Sequence, residues 1–328
     1  MKLKITSIAY HLPDLVEGID KLKEDNPDWE IPKILDKTGI LTRYISANDE
    51  TAVDLAFEAG IKLLHDDSVR RDEIDLLILV TQSPDYVLPT SACILQDKLG
   101  LPKNCMAFDI NLGCSGFVYA MSVAGSLIET GVASKGIILC ADTYSKYIAK
   151  NDRTCRPIFS DGAAAVFVER SETDDIGPFD FGTDGSGFDR LIVKGSGARK
   201  ACEIAEHPHG NLEMYGSNVF LFTMNVVPKS INNLLERTSK TFEDIDLFVF
   251  HQASKLVIDT LIQKLSLETE KVFTNYDSVG NTVSATIPIA LKDAVSRGRL
   301  HNGDTVMIVG FGVGLSWGAT LIRWTMQV

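Results

Sequence analysis

Asp72-Glu73-Ile74-Asp75-Leu76-Leu77-Ile78-Leu79-Val80-Thr81-Gln82 and Glu243-Asp244-Ile245-Asp246-Leu247-Phe248-Val249-Phe250-His251-Gln252 are one phrase written twice. In each, a charged turn leads into a continuous apolar run that ends in polar residues. Such a run reads as a strand buried on both faces. A helical stretch follows each copy and closes on a similar phrase, Asp97-Lys98-Leu99-Gly100-Leu101 or Gln263-Lys264-Leu265-Ser266-Leu267. Further on, Gly136-Ile137-Ile138-Leu139-Cys140-Ala141 parallels Thr305-Val306-Met307-Ile308-Val309-Gly310. The stretch from Asp161 to Val168 likewise parallels that from Trp317 to Arg323. The blocks come in the same order, at a period far longer than that of solenoid repeats. They predict two copies of one α/β unit, residues 1–170 and 171–328, fused near residue 170.

Helices are expected between the strands, among them Val53 to His65 and Phe117 to Thr130, the latter ending at the C-cap residue Gly131. Sheets of parallel strands, covered on both faces, follow from this alternation. In such folds the chemistry gathers at strand C-terminal ends. Cys114 follows the Met106-to-Ile110 run, His251 follows Leu247-to-Phe250, and Asn281 follows Val272-to-Tyr276. The expectation is that these three polar residues converge where the halves meet.

Cys114 is the most telling of the three. It stands where an apolar run stops and an amphipathic helix starts. The unpaired amides and positive dipole end of a helix N-terminus favour the thiolate. A thiolate is both nucleophile and leaving group, as reversible acyl transfer requires. A cysteine taken at random is better read as a small core residue. The flanking Gly113 and Gly116, which let other groups approach, argue against that here. Taken singly, His251 reads as a hydrogen-bonded structural histidine and Asn281 as a turn residue after Gly280. Together, in order and at strand ends, the three read as a site.

Composition narrows the classes. The 328-residue chain carries a formal net charge of -12, against broad nucleic-acid binding. Its apolar runs are too short to span a bilayer. Met1-Lys2-Leu3-Lys4-Ile5-Thr6 alternates like a strand and does not resemble a signal peptide. The six cysteines, 93, 105, 114, 140, 155 and 202, form no CxxC pair and no grouping with histidine at metal-ligand spacing. A reducing cytoplasm, no membrane and no structural metal are expected. The glycine-rich stretches 182–187 and 194–197 lack the Walker and dinucleotide spacings and read as tight turns. Histidines 11, 65, 207, 209 and 301 receive no role, and His207-Pro208-His209 reads as a loop.

Four phrases carry a family resemblance: Asp109-Ile110-Asn111-Leu112-Gly113-Cys114-Ser115-Gly116, His251-Gln252-Ala253-Ser254, Gly280-Asn281-Thr282-Val283-Ser284-Ala285-Thr286-Ile287-Pro288, and Gly310-Phe311-Gly312-Val313-Gly314-Leu315-Ser316-Trp317-Gly318. With Thr38-Gly39-Ile40-Leu41-Thr42-Arg43, Phe159-Ser160-Asp161-Gly162-Ala163-Ala164, Asp184-Gly185-Ser186-Gly187 and Met214-Tyr215-Gly216-Ser217-Asn218-Val219-Phe220, the chain resembles β-ketoacyl-acyl carrier protein synthase III along nearly its whole length. The resemblance implies a thiolase fold, a duplicated five-layered α/β/α/β/α arrangement, and a homodimer. It implies an acyltransferase of fatty-acid or specialised acyl biosynthesis. Cys114 would hold an acyl primer delivered by coenzyme A. The backbone amides of Cys114 and Val313 would form the oxyanion hole. His251 and Asn281, as neutral donors, would stabilise the enolate formed when a malonyl thioester on acyl carrier protein loses carbon dioxide. Coenzyme A and phosphopantetheine thioesters enter as substrates, and no metal or redox cofactor is implied. Asn281, rather than a second histidine, fits this branch and the longer plant-type polyketide synthases better than the elongating synthases.

Departures bear on the substrate. Lys33 and Lys37 stand where the family usually has a tryptophan stacked on the coenzyme A adenine and an arginine; lysine keeps the charge and loses the stacking face and the planar fork. Arg153 matches the partner arginine. Gly216, Ser254 and Phe311 are further contacts by position. Ser254 and Leu256 replace the usual asparagine and carrier-docking basic residue, and Ser217 a usual asparagine. Leu88 stands where a phenylalanine of the partner subunit often closes the acyl pocket, so longer or branched primers are expected. Val313 interrupts a run of three glycines.

Three other readings compete. An acyltransferase of the same fold could pass the Cys114 acyl group to an alcohol or amine. A papain-type peptidase shares the order Cys, His, Asn, but its cysteine phrase is absent and the duplicated pattern is wrong for it. An inactive scaffold would not need all three polar residues.

Overall fold

The computed structural model describes residues 1–199 and 210–326, so Cys202 and His207-Pro208-His209 lie outside the described residues. In chain order the strands are β1 (Leu3–His11), β2 (Leu15–Gly18), β3 (Thr42–Ile45), β4 (Leu76–Val80), β5 (Met106–Ile110), β6 (Lys135–Asp142), β7 (Gly162–Arg170), β8 (Ile176–Thr183), β9 (Leu191–Val193), β10 (Leu212–Met214), β11 (Leu247–Phe250), β12 (Thr305–Gly312) and β13 (Ser316–Arg323). The helices are α1 (Ile19–Asp25), α2 (Ile31–Thr38), α3 (Ala52–Leu64), α4 (Ser91–Lys98), α5 (Gly116–Glu129), α6 (Gly216–Thr238), α7 (Lys255–Leu265), α8 (Tyr276–Val279) and α9 (Thr286–Ser296).

The repeated phrases become repeated strands. One large sheet runs β1-β7-β6-β4-β5 and a second β8-β13-β12-β11, beside the two-stranded sheets β2-β3 and β9-β10, so β4, β6 and β7 correspond in place to β11, β12 and β13. The helix-closing phrases also correspond. Gly100 and Ser266 both take positive φ, and the next residue's amide reaches back to the carbonyl of Gln96 or Ile262.

The sheets are mixed, which corrects the expectation of parallel strands. β4 runs parallel to β5 and β6, and β11 parallel to β12. However, β7 is antiparallel to both β6 and β1, and β13 to both β12 and β8. For β13 the cause lies in the connection. A helical crossover can return a strand parallel, whereas β12 and β13 are joined by only Val313, Gly314 and Leu315. An apolar run reports burial on two faces and is silent on direction.

Three apolar clusters make five layers. Leu55, Ala59 and Leu63 of α3 and Leu95 of α4 pack on the outer face of the first sheet. Phe117, Met121 and Ala124 of α5 and Ile287, Leu291 and Ala294 of α9 fill the space between the sheets. Val227, Ile231 and Leu234 of α6 and Ile258 and Leu261 of α7 cover the second sheet's outer face. α5 comes from the Cys114 half and α9 from the Asn281 half, so each half supplies one helix of the shared middle layer.

The Val272-to-Tyr276 strand is not formed. Val272 makes one bridge to Phe248, and the chain then turns into α8. Asn275 is held by other means. Its amide donates to Gln252 Oε1 (2.9 Å), and its side chain donates to Asp293 (2.9 Å). Those bonds replace a ladder and bend the chain toward Asn281.

Candidate active site

Cys114, His251 and Asn281 line the inner part of one cavity of 560 Å³, together with Phe159, Phe311 and Gly312. All three polar residues are buried. Each arrives by a different route. Cys114 directly precedes Ser115, the N-cap of α5. His251 follows β11, its amide donating to the Val309 carbonyl (2.8 Å). Asn281 is fixed by backbone bonds with Ile158 and Ser160 in the other half, at 3.1 and 2.9 Å.

Close approach explains the glycines. A Cβ on Gly312 would lie 2.9 Å from the Cys114 sulfur, and one on Gly310 would lie 2.6 Å from the Cys114 carbonyl oxygen. The backbone amides of Cys114 and Val313 act on the sulfur in the direction that favours the thiolate. Burial works the other way and wins, with the buried Asp142 adding to it, so the thiol is pushed up to about 12. Against the thiolate expected at the helix N-terminus, burial holds the sulfur on the thiol side more strongly than the two amides favour its charge.

Burial likewise pushes His251 down to about 3, so the imidazole is neutral. Its Nδ1 lies 2.7 Å from Thr286 Oγ1, and its Nε2 lies 3.4 Å from Asn281 Nδ2. Phe311 meets the ring edge-on, with centroids 5.5 Å apart. Asn281 Oδ1 accepts from the Val283 amide (2.9 Å), which fixes which end of the side chain faces His251. Val283 does this at φ 56°, unusual for a β-branched residue.

The remaining candidates sort by depth. Lys33, Lys37, Arg153, Gly216, Ser254 and Phe311 all line the same cavity, as does Leu256. Lys33 pairs with Glu30. Leu88 is 80% exposed and does not line the cavity of its own chain. Several quoted phrases prove to be scaffolding. Asp109 caps α4 by accepting from the amides of Ser91 and Ala92, both at 2.8 Å. Buried Arg43 pairs with Glu17 at 2.6 Å. Asp161 accepts from the Ser46 amide and hydroxyl at 2.8 and 2.7 Å.

Two residues escaped the sequence reading. Asp142, fully buried at the end of β6, accepts from the amides of Gln82 (2.8 Å) and Ser284 (3.2 Å) and from the Ser284 hydroxyl (2.5 Å). It ties the strand ends of the Cys114 half to the loop after Asn281. Its signal was a charged residue closing an apolar strand. Thr286 lay inside a quoted phrase, two residues before Pro288, where a proline near a helix start marks the first turn.

Comparison with known proteins places the chain among enzymes of one kind. The family model for 3-oxoacyl-[acyl-carrier-protein (ACP)] synthase III matches residues 108–185, and that for its C-terminal part matches residues 235–324. A β-ketoacyl-[acyl-carrier-protein] synthase III of Clostridium perfringens is 40% identical over 312 residues, 94% of each chain. A crystal structure of a 3-oxoacyl-(acyl-carrier-protein) synthase III matches with a TM-score of 0.95 at 43% identity, covering 99% of this chain and 100% of that one. The enzyme of that class from Pseudomonas aeruginosa PAO1 matches at 0.91 with 31% identity over 100% of both chains.

Proposed function

The chain belongs to the β-ketoacyl-acyl carrier protein synthase III family of condensing enzymes and has its thiolase fold; from that premise we propose that Cys114 takes an acyl group from an acyl-coenzyme A primer and that the acyl group then condenses with malonyl-acyl carrier protein. The observation that carries this reading is the meeting of Cys114, His251 and Asn281 at the inner part of a single cavity. Nothing in the comparisons favours transfer of the acyl group to an alcohol or amine.

The chemistry follows from the groups present. Cys114 attacks the thioester carbonyl as its thiol proton leaves, and coenzyme A departs with a proton. The backbone amides of Cys114 and Val313, by their position in the family's glycine-rich loop, receive the oxyanion. A malonyl thioester then takes the vacated cavity. Its carboxylate leaves as carbon dioxide, and the electrons of that C–C bond pass to the thioester oxygen as an enolate. The Asn281 amide and the neutral imidazole of His251 donate to that oxygen. The enolate carbon attacks acyl-Cys114 and expels the sulfur as a thiolate, which takes a proton from solvent to regain its resting thiol, and the product is a β-ketoacyl thioester.

Lys33, Lys37 and Arg153 give the outer cavity wall positive charge suited to the phosphates of coenzyme A, while Asp36 beside them moderates it. The exposed Leu256 offers an apolar rather than a basic contact to the carrier protein. A homodimer fits the open edge of β5 and the exposed Tyr86-Val87-Leu88 segment. Cytoplasmic residence fits the free thiols of cysteines 93, 105, 114, 140 and 155. No helix among the described residues is long and apolar enough to cross a membrane.

The test is intact mass after exposure to a panel of acyl-coenzyme A thioesters, beside Cys114→Ala. A mass gain confined to the wild type, followed by discharge with malonyl-acyl carrier protein and release of carbon dioxide, is expected. Acyl loading without malonyl decarboxylation would overturn the condensation.

A further inference from the structure

We propose that Thr286 is a positioning residue that selects the tautomer of His251. Its hydroxyl donates to Nδ1, so that Nε2 carries the proton and faces the cavity as a donor. The inference rests on the condensing reading above.

The geometry supplies the argument. Thr286 is the first residue of α9 and is buried, so water does not compete freely for its hydroxyl. Two acceptors lie near that hydroxyl: His251 Nδ1 at 2.7 Å and the Val283 carbonyl at 3.1 Å. The shorter contact has the length typical of a hydroxyl donor and is shorter than most N–H donors make. A hydroxyl that donates to Nδ1 leaves the neutral ring's one proton on Nε2. Nε2 and Asn281 Nδ2 are then two N–H donors 3.4 Å apart. Asn281 is held in its donor orientation by the Val283 amide. Two neighbouring donors that do not bond to each other suit one shared acceptor, the oxygen on which enolate charge develops.

Val283 therefore serves both partners. Its amide orients Asn281, and its carbonyl is the alternative acceptor that Thr286 must decline. If the hydroxyl turned to Val283 instead, Nδ1 would carry the proton. Nε2 would then present a lone pair, repelling the enolate oxygen.

The first test is ¹⁵N NMR of ¹⁵N-histidine-labelled protein, with His251 assigned from His251→Asn. A protonated Nε2 and a bare, hydrogen-bonded Nδ1 are expected. A protonated Nδ1 overturns the proposal, whatever the enzyme's activity. The second test measures malonyl decarboxylation and Cys114 loading in Thr286→Val and Thr286→Ser. The valine variant should lose decarboxylation by about tenfold to a hundredfold, less than the loss of a donor outright. Loading should fall far less, and serine should restore both to within about threefold of wild type. Wild-type decarboxylation by the valine variant, or no recovery with serine, overturns the assignment. If the wild type neither loads an acyl group nor decarboxylates malonyl thioesters, the condensing reading fails, and the NMR result still decides the tautomer.

Discussion

In the proposed reaction Cys114 acts by arrangement and not by resting charge. Its thiol is pushed up to about 12 by burial and by Asp142, and His251 is too buried to be an imidazolium partner. Alkylation of Cys114 by iodoacetamide, followed by peptide mass spectrometry, should therefore keep rising through pH 9, since the thiolate fraction grows about tenfold per pH unit. A plateau near neutral pH would mean a preformed ion pair. Gly312→Ala should slow acyl loading severely in a folded protein, because the new methyl would sit 2.9 Å from the sulfur. Asp142 makes a stability prediction. Burial pushes its carboxyl up to about 7, so between about pH 4 and pH 7 the folded state binds a proton that the unfolded state has released. That contribution favours folding at low pH and is lost as pH rises through 7. Asp142→Asn cannot titrate, so its melting temperature relative to wild type should improve from pH 4 to pH 8, whatever offset the lost acceptor causes. A difference that stays constant with pH would assign Asp142 an ordinary carboxyl, and one that moves the other way a lowered one. None of these three shifts was visible in the sequence, because each depends on how completely the second half covers the first.

Elements were legible where burial and local chemistry pointed the same way. The expected helix Val53 to His65 is α3 with its C-cap, and Phe117 to Thr130 is α5 with Thr130 as its C-cap; Gly131, expected as the cap, stands one residue beyond it at φ 76°. What failed were strand direction and the Val272 segment, because the connections and the side chains of Gln252 and Asp293 decide them. The start of α3 offers a clean measurement. Thr51 and Asp54 form a reciprocal capping box, and Asp54 also pairs with Lys98. Thr51→Ala should cost about 1 kcal/mol in denaturant unfolding, with activity retained. Gly310 is different, since a methyl there meets backbone at Cys114 and Ser115, 2.6 and 2.8 Å away. Backbone cannot swing aside as a side chain can. Gly310→Ala should push β12 off the entry to α5 and cost about 1–3 kcal/mol or more, together with activity.

For the whole molecule, the weak point of a single chain is the side where β5 ends the first sheet. An edge strand leaves a row of unpaired backbone groups, and isolated proteins normally cover or charge such edges. Here the sheet order leaves β5 with one neighbour, and Tyr86, Val87 and Leu88 stand 61, 88 and 80% exposed. Apolar residues so exposed mark a contact surface. The proposed homodimer would cover them, and its second copy would bring a Leu88 segment to the acyl pocket. Val87→Glu should therefore yield monomers in analytical ultracentrifugation and depress condensation. A monomeric variant with full activity would remove any role for the partner at the site. Leu88→Phe tests the pocket itself. It keeps the surface apolar, so the dimer should persist, while the larger ring should shift Cys114 loading toward short straight primers. If branched and longer acyl groups load as well as before in a dimeric Leu88→Phe protein, the primer limit is set by residues within the chain, among them Phe159, Leu191 and Met214 along the cavity wall.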